Sequence, residues 1–149
     1  MIIVKMQFLN KFAKMPTRGS EYAAGYDLYA ATDSDIIIEP HKTVKVGTGI
    51  AMAIPEGYFG AVYARSGLAT KKGLRPANKV GIIDADYRGE IIVALHNDTN
   101  EAQTVSAGDR IAQIIIQPYP QISFSPVEEL SSTNKRKEWI WKHRSIKYE

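Results

Sequence analysis

The chain has 149 residues, 44% of them hydrophobic and 23% charged, with no cysteine and a formal net charge of +3. This is one domain, long enough to bury roughly two thirds of the surface its unfolded chain exposes. The lack of cysteine excludes disulfides, thiolate metal sites and a cysteine nucleophile, and is compatible with a cytoplasmic address. Residues 134–149 carry six basic side chains against two acidic ones, a net of +4, so the 133 residues before them sum to −1. The body is therefore not a basic, nucleic-acid-binding one; only the tail is basic enough to touch nucleic acid.

No apolar run approaches the ~20 residues of a membrane helix. Met1-Ile2-Ile3-Val4-Lys5 has no basic region before an apolar core and no small-residue cleavage site, so it reads as a strand and not a signal peptide. Short β-branched and aromatic segments then follow one another: Ala24–Ala30, Ile36–Ile38, Thr43–Val46, Gly49–Ile54, Tyr58–Tyr63, Glu90–Leu95, Gln103–Val105 and Arg110–Ile116. Turn signals separate them at Glu39-Pro40, Pro55-Glu56-Gly57, Asn97-Asp98, Ala107-Gly108-Asp109 and Gln117-Pro118. One short helix is expected over Ser66 to Lys72. The fold class is all-β, a sandwich, jelly roll or barrel. The body is expected to span residues 1–133 as one β domain, with 134–149 as an atypical basic tail.

Chemistry has few places to reside. His41, His96 and His143 lack ligand spacing, which argues against zinc, and neither a P-loop nor a Gly-x-Gly-x-x-Gly element is present. Four segments remain. In Ala24-Gly25-Tyr26-Asp27-Leu28-Tyr29-Ala30 an Asp stands in a strand, where Asp is depleted; it either meets a hydrated Mg²⁺ or makes a turn. Ala64-Arg65-Ser66-Gly67-Leu68-Ala69 sets an Arg and a Ser at a helix start, suited to phosphate or merely to an N-cap. Ala107-Gly108-Asp109-Arg110-Ile111-Ala112-Gln113 makes a tight turn into a strand whose alternation puts Ile111, Gln113 and Ile115 on one face. Gln113 there is at a site or bonded to backbone. In Gly81-Ile82-Ile83-Asp84-Ala85-Asp86-Tyr87-Arg88-Gly89-Glu90, Asp84 follows two apolar residues and is poised for partial desolvation, which suits a general base; otherwise the segment is an acidic hairpin tip. Tyr87 offers a flat face to a sugar or base.

Taken together, and in this order, the four segments resemble the trimeric all-β dUTP pyrophosphatase family, over about Met6 to Thr133. The resemblance implies a distorted jelly-roll or β-barrel fold, a homotrimer with sites at subunit interfaces, and cleavage of dUTP between the α- and β-phosphates to dUMP and pyrophosphate with Mg²⁺. It implies that Asp84 activates the attacking water, and that Asn78 and the backbone around Gly81 and Ile83 bind uracil within a hairpin over 78–90. Tyr87 packs under the deoxyribose. Arg65, Ser66 and Gly67 hold phosphates from a neighbouring subunit, Gln113 contacts the phosphate region, Asp27 orients metal-bound water, and Asp109 supports an adjacent Arg. The related dCTP deaminases share the fold, but the 81–90 segment matches the pyrophosphatase form better.

The tail departs from that family's pattern. A Gly-rich arm is expected after Ser131-Ser132-Thr133; the chain instead runs from Asn134 through Trp139-Ile140-Trp141-Lys142-His143-Arg144 to Glu149. Tryptophan has the single codon TGG, so reading from the second base of each codon forces Gly at Trp139 and Trp141. It permits Phe at Ile140, Ser at Lys142, Thr at His143 and Gly at Arg144. The tail thus reads as a frameshifted Gly-rich arm, or else as a divergent tail that contacts an acidic partner or nucleic acid.

Overall fold

The computed structural model of the chain describes residues 2–133. Twelve strands and one helix follow in order: β1 Lys5–Phe8, β2 Thr17–Arg18, β3 Tyr26–Tyr29, β4 Ile36–Ile38, β5 Thr43–Gly47, β6 Ile50–Ala53, β7 Tyr58–Tyr63, α1 Ser66–Lys72, β8 Leu74–Pro76, β9 Val80–Ile83, β10 Ile92–Asn97, β11 Gln103–Val105 and β12 Arg110–Pro118. The all-β expectation holds, and the helix lies over the expected residues. The first strand begins later than expected: β1 starts at Lys5 and pairs with β6, matching Lys5 to Ala53 and Phe8 to Ile50. Three short strands, β2, β8 and β9, carry too few residues to show a period in the sequence.

The largest sheet runs β2-β3-β12-β7-β9, a second runs β5-β10-β8, and the pairs β1-β6 and β11-β4 complete a distorted jelly roll. Between them lie Leu28, Ile38, Val46, Ile50, Leu74, Ile91, Leu95, Val105 and Ile111, each at most 1% exposed. Burial of such a side chain stabilises by about 1.5–3 kcal/mol, so this cluster dominates the fold's stability. Strand β10 shows the governing alternation: Val93, Leu95 and Asn97 point inward while Ile92 faces outward. Asn97 is polar yet fully buried. Its Nδ2 donates to Ile38 O (2.9 Å) and Glu101 O (2.7 Å), and its Oδ1 accepts from Thr99 N (2.9 Å) and Thr99 Oγ1 (2.8 Å). Every polar valence is satisfied, so the burial carries little penalty.

β12 corrects the sequence pattern. Its register against β3 shifts between Arg110 and Ala112, and this bulge buries both Ile111 and Ala112 in the core. Beyond it Ile114 points inward, whereas Gln113 and Ile115 lie partly exposed. Ile111 thus shares no face with Gln113. A bulge adds one residue to the two-residue period and inverts the face of everything before it.

Candidate active site

The segment expected as a hairpin over 78–90 is a different object. β9 pairs with β7, matching Gly60 to Ile83 and Tyr63 to Val80, whereas β10 pairs with β5 and β8. The chain leaves the three-stranded sheet at β8, adds β9 to the edge of the five-stranded sheet, and returns as β10. A turn begins the excursion, with Lys79 N donating to Pro76 O (3.1 Å), Val80 N to Asn78 O (2.7 Å) and Lys79 at φ 63°. At the far end Tyr87 N donates to Asp84 O (3.1 Å), and Arg88 Nη1 ties down the carbonyls of Ala85 (2.6 Å) and Tyr87 (2.9 Å).

Because the excursion bridges two sheets, it walls a cavity between them. This space of ≈ 270 Å³ is lined by Asn78, Gly81, Ile83, Asp84 and Tyr87, all expected site residues. Ile82 of β9, Val62 of β7, Pro76 of β8, Glu90, and Ile92 to Ala94 of β10 complete it. Sequence reading gave those outside β9 no role in the site, since all but Glu90 come from strands whose patterns signal only packing. β9 has one strand neighbour, so its other edge presents backbone N–H and C=O groups without a ladder partner.

The Asp84 carboxylate makes no hydrogen bond or ion pair within the described residues and is exposed. Among the described residues little desolvation reaches it: Ile82 lines the same cavity but is itself 56% exposed. Val80, Ile92 and Tyr87 are likewise exposed around the excursion.

A second cavity, ≈ 340 Å³, is lined by Arg65, Gly67, Leu68, Lys71, Lys72, Asp109 and Arg110. It shares no residue with the first. Behind it Asp27, 8% exposed, accepts from Arg65 Nε through Oδ1 (2.6 Å) and from Arg110 Nη1 through Oδ2 (3.3 Å). This changes the expectation for Asp27. A carboxylate shared by two guanidiniums is a poor partner for a dication's water; its evident work is to aim Arg65 and Arg110. Asp109 is structural, as expected, but the bond it makes is not to an Arg: its Oδ2 accepts Ser106 N (3.0 Å) and closes the turn. Ser66 is exposed at the first helical position, and Arg65 occupies the N-cap with no side-chain capping bond, so the N-cap reading of Ser66 is corrected. Gln113 Nε2 donates to Ala64 O (2.9 Å), bracing the strand end that carries Arg65. Gly25 permits this, because a Cβ there would lie 2.4 Å from Gln113 Oε1.

The two described histidines each bond a polar side chain. His41 Nε2 bonds Asn100 Oδ1 (2.8 Å) and His96 Nδ1 bonds Thr43 Oγ1 (2.9 Å). Arg75 makes a forked contact to Asp98 (2.6 and 2.9 Å), and that hydrogen bond is the main cause holding the Asp98 carboxyl below its ordinary value. Among the described residues no group of three or more acidic or histidine side chains could cage a metal. The expectations for residues 134–149 lie outside the described residues.

The sequence model of the dUTPase family matches residues 11–140. The deoxyuridine 5′-triphosphate nucleotidohydrolase of Syntrophotalea carbinolica is 45% identical over 134 residues, covering 90% of this chain and 91% of that protein. The enzyme of the same name from Corynebacterium glutamicum is 47% identical over 131 residues, 87% of each. Among solved structures, the dUTPase of Staphylococcus bacteriophage 80alpha aligns with a TM-score of 0.79 at 29% identity, over 87% of this chain and 99% of that one. A mutant dUTPase of phage phi11 of S. aureus, 27% identical over 85% of this chain and 97% of that one, with a TM-score of 0.76, coordinates a structural Mg(II) ion. The chain belongs to the dUTPase family.

Proposed function

We propose that the chain hydrolyses dUTP to dUMP and pyrophosphate, serving dUMP synthesis and the exclusion of uracil from DNA. The carrying observation is the inter-sheet cavity, in which an unpaired strand edge, an aromatic ring and an unpartnered carboxylate converge on one space. Uracil and cytosine differ in donor and acceptor polarity along one edge, and fixed backbone groups near Asn78, Gly81 and Ile83 read that polarity. Tyr87 lies against the deoxyribose. Asp84 takes a proton from the water that attacks the α-phosphorus. Arg65, with Ser66 and Gly67, holds phosphates, and Gln113 keeps that segment in place.

Phosphoryl transfer is chiefly positioning and charge neutralisation. Mg²⁺ takes phosphate oxygens and waters more readily than an all-protein cage. The described residues fit a metal that arrives on the triphosphate and neutralises its charge, since they offer no cage and Asp27 is committed to arginines.

The two cavities share no lining residue, so in this reading a site is completed between protomers of a homotrimer, the Arg65 of one meeting the Asp84 of another. The exposed Val80, Ile82 and Ile92 beside Asp84 support this, because a neighbour covering them supplies desolvation that the described residues do not. Among the described residues no helix is long and apolar enough to cross a membrane, and we place the reaction in the cytoplasm.

Residues 1–133 form the catalytic body in this reading, and 134–149 are a frameshifted arm. Without an arm to close over the nucleotide, water exclusion is incomplete. Turnover then falls by orders of magnitude while part of the dUTP affinity survives. A pyrophosphate-release assay with dUTP, dCTP, dTTP and UTP tests this on the chain and on a version carrying a Gly-rich arm. Release from dUTP alone, much faster with the arm, is expected. Ammonia from dCTP, or no gain from the arm, overturns it. The departure of the tail from the family pattern favours one other reading, a nucleotide-binding regulatory module with weak catalysis, which predicts dUTP binding without turnover in both proteins. Nucleotide sequence across codons 133–149 decides the frameshift: codons unable to spell the arm in the shifted frame end it.

A further inference from the structure

We infer that Glu90 is a positioning residue for sugar discrimination, fixing Tyr87 by tying it to the rigid turn between β5 and β6. The inference rests on the assignment of Tyr87 to the deoxyribose. Rejecting a 2′-hydroxyl by sterics demands a ring that does not yield, yet Tyr87 is 43% exposed and lies beyond the end of β9. Burial does not hold it.

Two local features hold it instead. Tyr87 OH donates to the Glu90 carbonyl at 2.9 Å. The ring also lies over Gly89, where a Cβ would come within 2.5 Å of the hydroxyl and 2.7 Å of Cζ. Such a bond fixes the ring only as firmly as the carbonyl itself is fixed.

That carbonyl is anchored through the side chain of its own residue. Glu90 Oε1 accepts Gly49 N at 2.8 Å. The same oxygen occupies the space a Cβ on Gly47 would need, at 2.5 Å. Gly49 has φ +65°, and a Cβ there would meet Ala13, Ala31 and Asn10 within 2.9 Å, so the turn has no room to shift. The next residue is locked to the same turn: Thr48 Oγ1 donates to Ile91 O (2.6 Å), Thr48 N to the same oxygen (3.2 Å), and Ile91 N to Ile50 O (2.9 Å). A continuous set of bonds therefore runs from the buried turn through the Glu90 side chain to its carbonyl and on to the Tyr87 hydroxyl. Glu90 acts on the sugar through Tyr87.

The test is calorimetric titration with dUMP and with UMP, which needs no turnover, on the wild type, Tyr87→Phe, Glu90→Ala, Glu90→Gln and the Tyr87→Phe/Glu90→Ala double variant. Tyr87→Phe keeps the ring and removes one neutral hydrogen bond, so the dUMP-over-UMP preference falls about fivefold. Glu90→Ala loosens the carbonyl that accepts that bond and lowers the preference by at most the same factor, about threefold to fivefold. Glu90→Gln keeps an acceptor oxygen and stays within about twofold of wild type. Because both groups act through one link, the double variant is no worse than Tyr87→Phe. A preference unchanged in Tyr87→Phe, or a double variant that loses the product of the two single effects, overturns the positioning role. Should Glu90→Ala fail to fold, Tyr87→Phe and Glu90→Gln decide it. A wild-type protein that binds neither nucleotide, or both equally, overturns the assignment of Tyr87 to the sugar, which is a separate failure.

Discussion

Replacing Asp27 separates two readings of that residue. Its side chain is 11% exposed and bonds Arg65 at 2.6 Å and Arg110 at 3.3 Å, whose side chains are 23% and 52% exposed. The short, largely desolvated Arg65 contact is worth about 1.5–3 kcal/mol as a charge-assisted hydrogen bond. The longer Arg110 contact, half in solvent, adds less than about 1 kcal/mol after screening. Asp27→Ala should therefore destabilise by about 2–4 kcal/mol, and Asp27→Asn, which keeps one acceptor oxygen, by about half of that. Urea unfolding at fixed protomer concentration measures both losses. A second measurement tests the cause. If Asp27 aims arginines, both variants weaken pyrophosphate and dUTP binding while the Mg²⁺ concentration for half-maximal activity stays put. If it holds metal-bound water, that concentration rises. Asp27→Ala with stability within about 0.5 kcal/mol of wild type and a raised Mg²⁺ requirement refutes the arginine-anchor argument.

Three further outcomes follow from the same geometry. Asp84→Asn should lower kcat for dUTP by about 100- to 10,000-fold, the range for loss of a general base, with dUMP affinity by calorimetry little changed; comparable activity removes Asp84 from the chemistry. Asn97→Ala removes the Asn97 bonds to Ile38 O and Thr99 N and leaves Glu101 O with Thr99 Oγ1 in the buried corner at the end of β10, and should cost about 2–4 kcal/mol in urea unfolding. Arg75 lowers the Asp98 pKa on folding, so this pair's stabilisation is present above the ordinary carboxylate value of 3.8 and fades as pH falls through the lower folded value. Acid unfolding of Asp98→Asn should converge with wild type at the low end, and curves that stay parallel to the lowest pH exclude the effect.

What the sequence disclosed depended on how local each determinant is. Helix α1 was legible because Gly67, Ala69 and two lysines offer no strand period, and its close at Gly73, φ 61°, is a one-residue signal. Most strands were legible for the converse reason, since their β-branched and aromatic residues stand between turn signals. The pairing of β9 with β7 was not: a run of four residues states no partner, and the Asp-rich turn after it imitates a hairpin. The face of Gln113 was lost to a bulge, which leaves no mark in composition. The residues of the site divide in the same way. Asp84, Tyr87 and Arg65 stand out because their chemistry is unusual where they sit. Glu90 does not, being one more acid beside a glycine, and its part depends on Gly49, forty-one positions earlier in the chain. Asp27 was noticed for the right anomaly, but its arginine neighbours were not legible, because Arg65 and Arg110 reach it only once β3, β7 and β12 lie side by side. Sequence thus reveals groups that are chemically out of place, and the fold decides what each of them holds. By that logic the groups most worth substituting next are those, like Glu90 and Asp27, whose hydrogen bonds run inward from the site and not toward the substrate.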